Sequence, residues 1–439
     1  MAPRRPARMI RHHTLAYLPS PNDMRVQFIN TCCGNSGQQQ HSLDEGLKIF
    51  EDIVEKRMLE YESSMTDLLN MLWASHPKLT SYLERQFRTA TKIVSLIRSS
   101  TEQPSIDDIV KLLCDYFKVS ASNMKIHENE MRNLVFAVIG WSTMLYTVTS
   151  EAEDSDLPNV TETQFTNGPA KLPVVLVKHS CQRPVGSMLR SQGLMPIACL
   201  PAYRKSSQGL PTRLTVNSLN FCSLHWLGHV KITWVNDLSS HCEFDRHGKI
   251  KQLKLFRLPS LCAKIFLGDK DETFIDRLFK SHSCQKNCWS IPESVAKPYL
   301  AEVLLSYRLL FGQHQASRTH FVKKERGNAA WNDALDPLLY ALCGQDNVYG
   351  FDGIEEYLCE RGVYDADISF PHLGSRLMEL ADYSSSQRPT SLFEVWRDQR
   401  DPEKLLTFKA VIIIGAASVA LGILQVFVGI VQIAVTIHA

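Results

Sequence analysis

Apolar residues in the amino-terminal half of the chain recur at helical spacing. Ser42 and Glu45 form a capping-box pattern, after which apolar residues repeat every three or four positions along one helix. A second helix follows the break at His76-Pro77, and Ser105 with Asp108 opens a third. The first stripe consists of Leu47, Phe50, Val54, Met58, Tyr61, Met65, Leu68 and Leu72. We predict that these stripes are core faces of a helical bundle, with a coiled-coil contact as the alternative.

Residues 133–150 contain no charged side chain and admit two interpretations. A membrane-spanning helix needs about 20 predominantly apolar residues, whereas this segment contains Asn, Trp, Tyr, several Ser and Thr, and the interrupting Gly140. We therefore predict a helix buried in the body, with a second span as the alternative.

Between the acidic residues 151–156 and residue 256 the pattern changes to short apolar runs separated by Gly and Pro. In one run Val230, Ile232 and Trp234 alternate with Lys231 and Thr233, as in a strand with one buried face. The polar run 245–248 ends in glycine and predicts a hairpin turn. The predicted strands are 172–178, 212–216, 229–236, 240–245 and 249–256. They indicate a small antiparallel sheet packed on helices.

The predicted fold class is α+β, a mainly helical body with a small antiparallel β-sheet and one C-terminal transmembrane helix. Helical spacing returns at residues 294–313, and the Ser-rich residues 382–391 predict a linker. The predicted regions are a disordered basic tail (1–41), a helical region (42–150), an α+β region (151–320), a loop-rich helical region with linker (321–404) and a membrane anchor (405–439, span about 410–437).

The predicted tail raises two further possibilities. Its basic residues resemble a mitochondrial presequence, but Pro3 and Pro6 would break the amphipathic helix that such a sequence requires. Disorder would also leave Cys32 and Cys33 accessible to acylation.

No charged residue occurs between Ala410 and Ile437. At about 1.5 Å per residue this segment exceeds a hydrocarbon core of about 30 Å, so it predicts a single-pass membrane span. Because almost nothing follows it, we expect a tail-anchored protein that inserts after translation.

Basic residues precede the span and predict its orientation. Lys and Arg beside a span stay on the cytosolic side, so the body is expected in the cytosol and the Asn159-Val160-Thr161 sequon should remain unmodified. The orientation determinants are Arg397, Arg400, Lys404 and Lys409.

Small and amide side chains form one stripe along the span. They alternate at steps of three and four, which indicates a face for close helix packing and interhelical hydrogen bonds. The alternative is chance, with Gln432 reaching the far interface. The predicted transmembrane packing face is Gly415, Ser418, Gly422, Gln425, Gly429 and Gln432. Its partner would be a second copy of the chain or another membrane protein.

Charge and cysteine content exclude two classes of protein. With 48 basic and 46 acidic residues the net charge is +2, so we expect no nucleic-acid partner. The 12 cysteines are scattered without a disulfide framework, which favours reduced, buried thiols in a cytosolic body.

Candidate chemistry is sparse. The sequence lacks GxxxxGK[ST], HExxH and GxSxG motifs, and we predict no cofactor. His282, Cys284 and Cys288 form a compact group, but their spacing is loose and a fourth zinc ligand is missing, so no metal is predicted. Asp237 and His241 flank a turn and form a candidate acid–base pair, although a hydrogen-bonded structural histidine is the commoner case.

Six phrases of the sequence are distinctive when taken together: VFAVIGWSTMLY (135–146), ITWVNDLSSHCEFD (232–245), LKLFRLPSLC (253–262), EVLLSYRLLFGQ (302–313), FPHLGSRLMEL (370–380) and LFEVWRDQRDPEKLLTFKAVIIIG (392–415). Together they resemble a group of uncharacterised single-span membrane proteins of filamentous fungi. The resemblance covers roughly residues 105–435 and implies a fungal origin and a membrane anchor, but no reaction. Cys242 stands where the group would have leucine, which implies a buried apolar position.

Two functional hypotheses follow. The first is a membrane-tethered interaction protein, acting as a scaffold, adaptor or sensor, because the chain combines long amphipathic helices with a polar stripe in the span. The alternative is a membrane-anchored hydrolase or transferase that uses Asp237 and His241 or the Cys/His group.

Overall fold

The fold is known from a computed structural model, which describes a defined part of the chain. The described residues are 21–34, 41–75, 81–100, 102–148, 159–160, 174–176, 178–195, 213–268, 273–279, 296–325, 335–348, 350–351, 353–358, 360–389, 391–398, 400 and 402–438. The predicted tail over residues 1–20 lies outside this part.

The amino-terminal half forms the predicted helical bundle, and its apolar stripe from Leu47 to Leu72 is buried. Tyr61 divides the predicted first helix in two, because its N–H bonds to the Met58 carbonyl three residues back, at 3.2 Å. The capping box at Ser105 and Asp108 is present. The helices here are α1 (Pro21–Cys33), α2 (His41–Glu60), α3 (Glu62–Leu72), α4 (Tyr82–Ser99), α5 (Ile106–Phe117), α6 (Ala121–Ile126) and α7 (Glu128–Thr143).

The prediction of disorder over residues 1–41 is wrong for α1. Phe28 lies edge-on against Phe87 of α4, with ring centroids 5.7 Å apart. Cys32 and Cys33 are also buried, and burial raises the pKa of the Cys33 thiol to about 12. Acylation of these thiols is therefore incompatible with the folded body. The polar residues that follow α1 in the sequence suggested disorder for the whole region. The helix is ordered because its apolar face packs on α4.

Helix α7 confirms the prediction of a buried helix within residues 133–150. It ends at Thr143, and all its residues from Leu134 to that end are buried in the body. Gly140 is required by close packing, since a Cβ there would lie 2.8 Å from the Tyr146 ring. The uncharged segment is thus a core helix rather than a second span.

The strands form small separate sheets, and one prediction about them is wrong. Strand β4 pairs in parallel with β6, which lies between β4 and the antiparallel β5. The 245–248 turn does form, with the N–H groups of His247 and Gly248 bonded to Asp245 Oδ1 at 3.0 and 2.9 Å. Strands β1–β2 and β3–β7 pair antiparallel. The strands are β1 (Asn159–Val160), β2 (Val174–Val175), β3 (Arg213–Thr215), β4 (Lys231–Val235), β5 (Phe244–Asp245), β6 (Gln252–Phe256) and β7 (Val363–Asp365).

The parallel pairing of β4 with β6 is possible because the connection between them is long. Residues 236–251 between β4 and β6 are long enough to cross the sheet, and they contain β5. The short-range hairpin was therefore predictable, whereas the parallel pairing joins strands that only the crossover brings together.

Shorter helices surround the sheets, and the α+β prediction is confirmed. The predicted linker 382–391 is wrong in its first half, because α17 continues through Ser386 and buries Tyr383 and Ser384. These shorter helices are α8 (Val185–Ser191), α9 (Val216–Leu219), α10 (Phe221–Trp226), α11 (Pro259–Leu267), α12 (Phe274–Phe279), α13 (Ala296–Tyr307), α14 (Gln315–His320), α15 (Pro337–Gly344), α16 (Ala366–Ser369), α17 (Gly374–Ser386) and α18 (Leu392–Arg397). The long C-terminal helix α19 (Pro402–His438) follows them.

Helix α13 lies at the centre and supplies hydrogen bonds to its surroundings. The Tyr299 hydroxyl donates to the Leu238 carbonyl at 2.7 Å, and the Tyr307 hydroxyl donates to the Phe256 carbonyl. The Glu302 carboxylate accepts from the N–H groups of His372 and Leu373, at 2.9 and 2.8 Å, just before α17. One buried helix thereby joins the mixed sheet to α17.

A buried carboxylate joins α11 to the start of α15. Asp336 accepts from the Ser260 hydroxyl at 2.6 Å, from the Ser260 N–H, and from the first amides of α15. Burial raises the pKa of this carboxyl to about 6 although these bonds act in the opposite direction. Gly46 lets α2 approach closely, because a Cβ there would lie 2.2 Å from Ser260 Oγ.

Removing the Asp336 carboxylate should destabilise the body strongly. We expect Asp336→Ala to lower the free energy of unfolding by about 3–5 kcal/mol, because buried donors lose their acceptor. Asp336→Asn retains one acceptor oxygen and should cost less. Denaturant unfolding of the full-length chain in detergent measures both, and equal stability of Asp336→Ala and wild type would contradict the assignment.

Candidate functional site

His241 was predicted as one half of an acid–base pair, and its ring is buried and fully hydrogen-bonded. The Phe256 N–H donates to His241 Nδ1 at 3.1 Å, so Nδ1 is the unprotonated nitrogen. His241 Nε2 therefore carries the hydrogen and donates to Ser306 Oγ at 2.7 Å. The Ser306 hydroxyl in turn donates to the Val303 carbonyl at 2.7 Å. Both ring nitrogens thus hold the mixed sheet against α13.

Burial also fixes the protonation state of His241. Desolvation, followed by the nearby Arg376 guanidinium, lowers the pKa of the ring to about 3. Arg376 donates to the carbonyls of Ser239 and His241, each at 2.6 Å. A general base needs access to substrate and a pKa near the working pH, and the His241 ring has neither. The geometry therefore assigns His241 the structural role.

Asp237, the other half of the predicted pair, faces a different set of groups. It accepts from the Thr147 hydroxyl and lies 3.7 Å from Arg57 Nη2. Arg57 also donates to Thr147 Oγ1 at 2.7 Å. These contacts join α2 to the segment after α7 and to the end of β4, so Asp237 works as a buried cross-link.

The polar group around Asp237 was missed because it depends on the parallel strand pair. Asp237 follows β4 and Arg257 follows β6, and the carboxyl ends of parallel strands meet at one edge of a sheet. Arg57 lies close enough to lower the pKa of Arg257, after burial, by charge repulsion. The sequence does place Asp237 and Arg257 directly after two predicted strands. The antiparallel prediction, however, put the ends of these two strands at opposite edges of the sheet.

The candidate zinc group cannot be placed in the fold. His282, Cys284 and Cys288 lie outside the described residues. Among the residues that the structure does describe, no three His, Cys, Asp or Glu side chains are arranged to hold a metal ion. Cys242 is buried, as its apolar position implied.

Helix α19 is the predicted functional element that stands apart from the body. It is 37 residues long. Among the helices that the structure describes, α19 is the one that is long and apolar enough to cross a membrane. Its candidate span, Glu403–Ile433, is not buried in the body. A Cβ at Gly415, Gly422 or Gly429 would meet no atom within 4 Å, and the Ser418 hydroxyl bonds back to the Ile414 carbonyl. The glycines of the predicted packing face therefore meet no side chain of the body, and Gln425 and Gln432 are exposed.

The predicted orientation residues lie around the start of α19 and differ in their contacts. Arg397 ends α18, and Lys404 is exposed on the first turn of α19. Arg400 pairs with Asp398 at 2.8 Å and donates to the Ser384 carbonyl at 2.5 Å, which ties the connection to α17. Lys409 Nζ lies 5.4 Å from the centre of the Trp396 ring.

Comparisons with known proteins give no indication of function. No family model, curated protein or solved structure matches the chain. Asp237 and His241, the predicted catalytic pair, are structural side chains. The remaining candidates for a functional role are α19 and the surface around its first turns.

The protonation of His241 predicts a pH dependence of stability. The unfolded ring takes a proton below its ordinary pKa of 6.5, whereas the folded ring takes one only near 3, so protonation favours unfolding. This contribution is present above about pH 6.5 and is lost as the pH falls. Between about pH 7 and about pH 5 we expect His241 to account for a loss of about 2 kcal/mol.

His241→Gln isolates that contribution, because glutamine does not titrate. Urea unfolding of full-length protein in detergent at both pH values should show a smaller loss for the variant than for wild type. An identical loss in the two proteins would contradict a neutral, buried His241.

Proposed function

We propose that this chain is a single-pass membrane protein whose body is held at the membrane as an interaction module, in the manner of a scaffold, adaptor or sensor. The observation that carries the proposal is the exposure of α19, whose large apolar side chains from Val411 to Ile433 are exposed. In water such a surface would cost far more free energy than a folded body retains, whereas lipid removes that cost.

The dimensions of α19 support membrane insertion. Its 37 residues extend about 55 Å at about 1.5 Å per residue, against a hydrocarbon core of about 30 Å. The excess lies in the first turns, where Lys404 and Lys409 occur, so the uncharged part spans while the charged part remains at the interface.

The basic residues before the span support a cytosolic body. Arg397, Arg400, Lys404 and Lys409 precede it, and Lys and Arg near a span determine orientation far more than Asp and Glu do. Arg400 keeps this role although it pairs with Asp398, because a neighbouring carboxylate contributes little to orientation.

The interaction role rests on the span and no longer on the amphipathic helices. The stripes on α2, α3, α4 and α5 are buried core faces, so they offer no coiled-coil surface. By contrast, the Gly, Ser and Gln stripe of α19 is open. An amide in hydrocarbon gains from an interhelical hydrogen bond, and glycines permit close approach. We propose a second copy of this chain as the partner, through a left-handed crossing set by the seven-residue repeat.

Orientation is tested by glycosylation of the full-length chain in eukaryotic cells. We expect no glycan at Asn159, because a cytosolic body never meets the glycosylation enzymes. As a control, an Asn-Gly-Thr tag joined to Ala439 through a polar spacer that carries it clear of the headgroup layer should be modified when the helix enters the endoplasmic reticulum. A glycan at Asn159, seen as a mobility shift sensitive to endoglycosidase, would reverse the proposed orientation.

Self-association is tested by replacing the packing face. Gly422→Ile with Gln425→Leu keeps the helix apolar but removes the groove and the amide. We expect self-association, measured by energy transfer between labelled full-length chains in liposomes, to weaken about tenfold.

The matched control introduces the same residues on the opposite face, as Ala420→Ile with Phe427→Leu. This variant should associate like wild type. Equal association of both variants and wild type would show that the stripe is not a contact surface between copies.

A further inference from the structure

The base of α19 is covered by an aromatic side chain and a basic one. Trp396 of α18 is 43% exposed. Its ring lies 6.5 Å from that of Phe408 and 5.4 Å from Lys409 Nζ, both on α19. These contacts fold α18 back along the first turns of α19, so Trp396 lies at the level where the helix leaves the body.

A second pair of the same kind lies on the neighbouring element. Helix α10 packs against α18 and against α14. It ends in the half-buried Trp226, and the Lys324 ammonium lies 5.7 Å from the centre of that ring. Lys323 and Lys324 are both exposed. Two tryptophan–lysine pairs are thus held on adjoining parts of one surface.

Ring contacts hold Trp226 in place. It meets His225 and His320 edge-on, with centroids 5.1 and 6.4 Å away, and the two histidine rings lie 4.6 Å apart. Burial, followed by His225 and Lys324, lowers the pKa of His320 to about 4, so this ring is neutral near pH 7. The positive charge of the surface therefore comes from its lysines.

This chemistry matches the headgroup layer of a bilayer. Tryptophan concentrates at the membrane–water interface, and lysines near an anionic leaflet are attracted to its headgroups. Among the described carboxylates of α18 and the segment after it, Glu394 is partly buried, Asp398 is paired with Arg400, and Glu403 is exposed next to Lys404. The tryptophan–lysine surface is defined as Trp226, Lys323, Lys324, Trp396 and Lys409.

We propose that the tryptophan–lysine surface docks on anionic headgroups of the membrane that α19 enters. The proposal rests on the proposed function, because α19 must first hold the body there. A lipid surface is favoured over a protein partner because α18 continues the tryptophan–lysine surface directly to the base of the span. Tethering also presents headgroups at high effective concentration. Docking would fix the orientation of the body relative to the bilayer.

The test uses full-length protein in lipid nanodiscs of phosphatidylcholine alone or mixed with phosphatidylserine. Brominated lipids should quench Trp226, a contribution measured as the difference between wild type and Trp226→Phe. In addition, amide hydrogen exchange over residues 221–226 and 315–325 should slow about tenfold when phosphatidylserine is present.

Charge-reversal variants distinguish docking through this surface from a non-specific attraction of the whole body to anionic lipid. Lys323→Glu with Lys324→Glu should remove the phosphatidylserine-dependent protection and the quenching of Trp226. The control, Lys111→Glu with Lys118→Glu, makes the same charge change at two exposed residues, one on α5 and one directly after it, and α5 packs on α4 and α7. It should behave like wild type.

The outcomes distinguish the two proposals. A chain that does not co-purify with nanodiscs overturns the membrane anchor itself. A chain that co-purifies, but in which Trp226 is unquenched or exchange is the same in both lipids, overturns docking alone. Equal losses in the two charge-reversal variants also overturn docking. Protection that persists without phosphatidylserine and without quenching assigns the surface to a protein contact instead.

Discussion

The burial of most side chains of α13 is the constraint on which the body depends. A buried helix with polar side chains must find a partner for each of them, since an unpaired buried group costs about 1–3 kcal/mol. Tyr299 and Tyr307 bond backbone carbonyls beside the mixed sheet, Ser306 bonds His241, and Glu302 binds the amides ahead of α17. Sheet, α13 and α17 are therefore fixed together by directional bonds in addition to apolar packing.

The same constraint explains why residues with catalytic potential are inert here. His241, Ser306 and Asp237 are residue types that perform acid–base and nucleophilic chemistry, but each has its hydrogen-bonding groups committed to the fold. A desolvated imidazole whose nitrogens are both bonded neither takes nor gives a proton near neutral pH. Residue type alone therefore suggests a catalytic role for side chains that in fact join elements of the fold.

Helices α7 and α19 show how similar composition leads to different environments. Both contain a long uncharged segment with glycine. Helix α7 is covered by α4 and α5, and its Gly140 receives the Tyr146 ring. Helix α19 has glycines that meet no neighbour within 4 Å, and its apolar side chains remain exposed. The difference lies in the neighbours, which is why α7 contributes to the core and α19 to the proposed membrane contacts.

The sequence by itself determined the features that depend on local spacing. The buried stripe from Leu47 to Leu72, the capping box at Ser105 and the uncharged length of α19 all follow from periodicity and hydropathy. Only the tertiary structure decided the parallel pairing of β4 with β6, the helix at Pro21–Cys33 and the partners of His241. These features depend on contacts between residues distant in sequence, because each is stabilised by a surface or hydrogen bond that another part of the chain supplies.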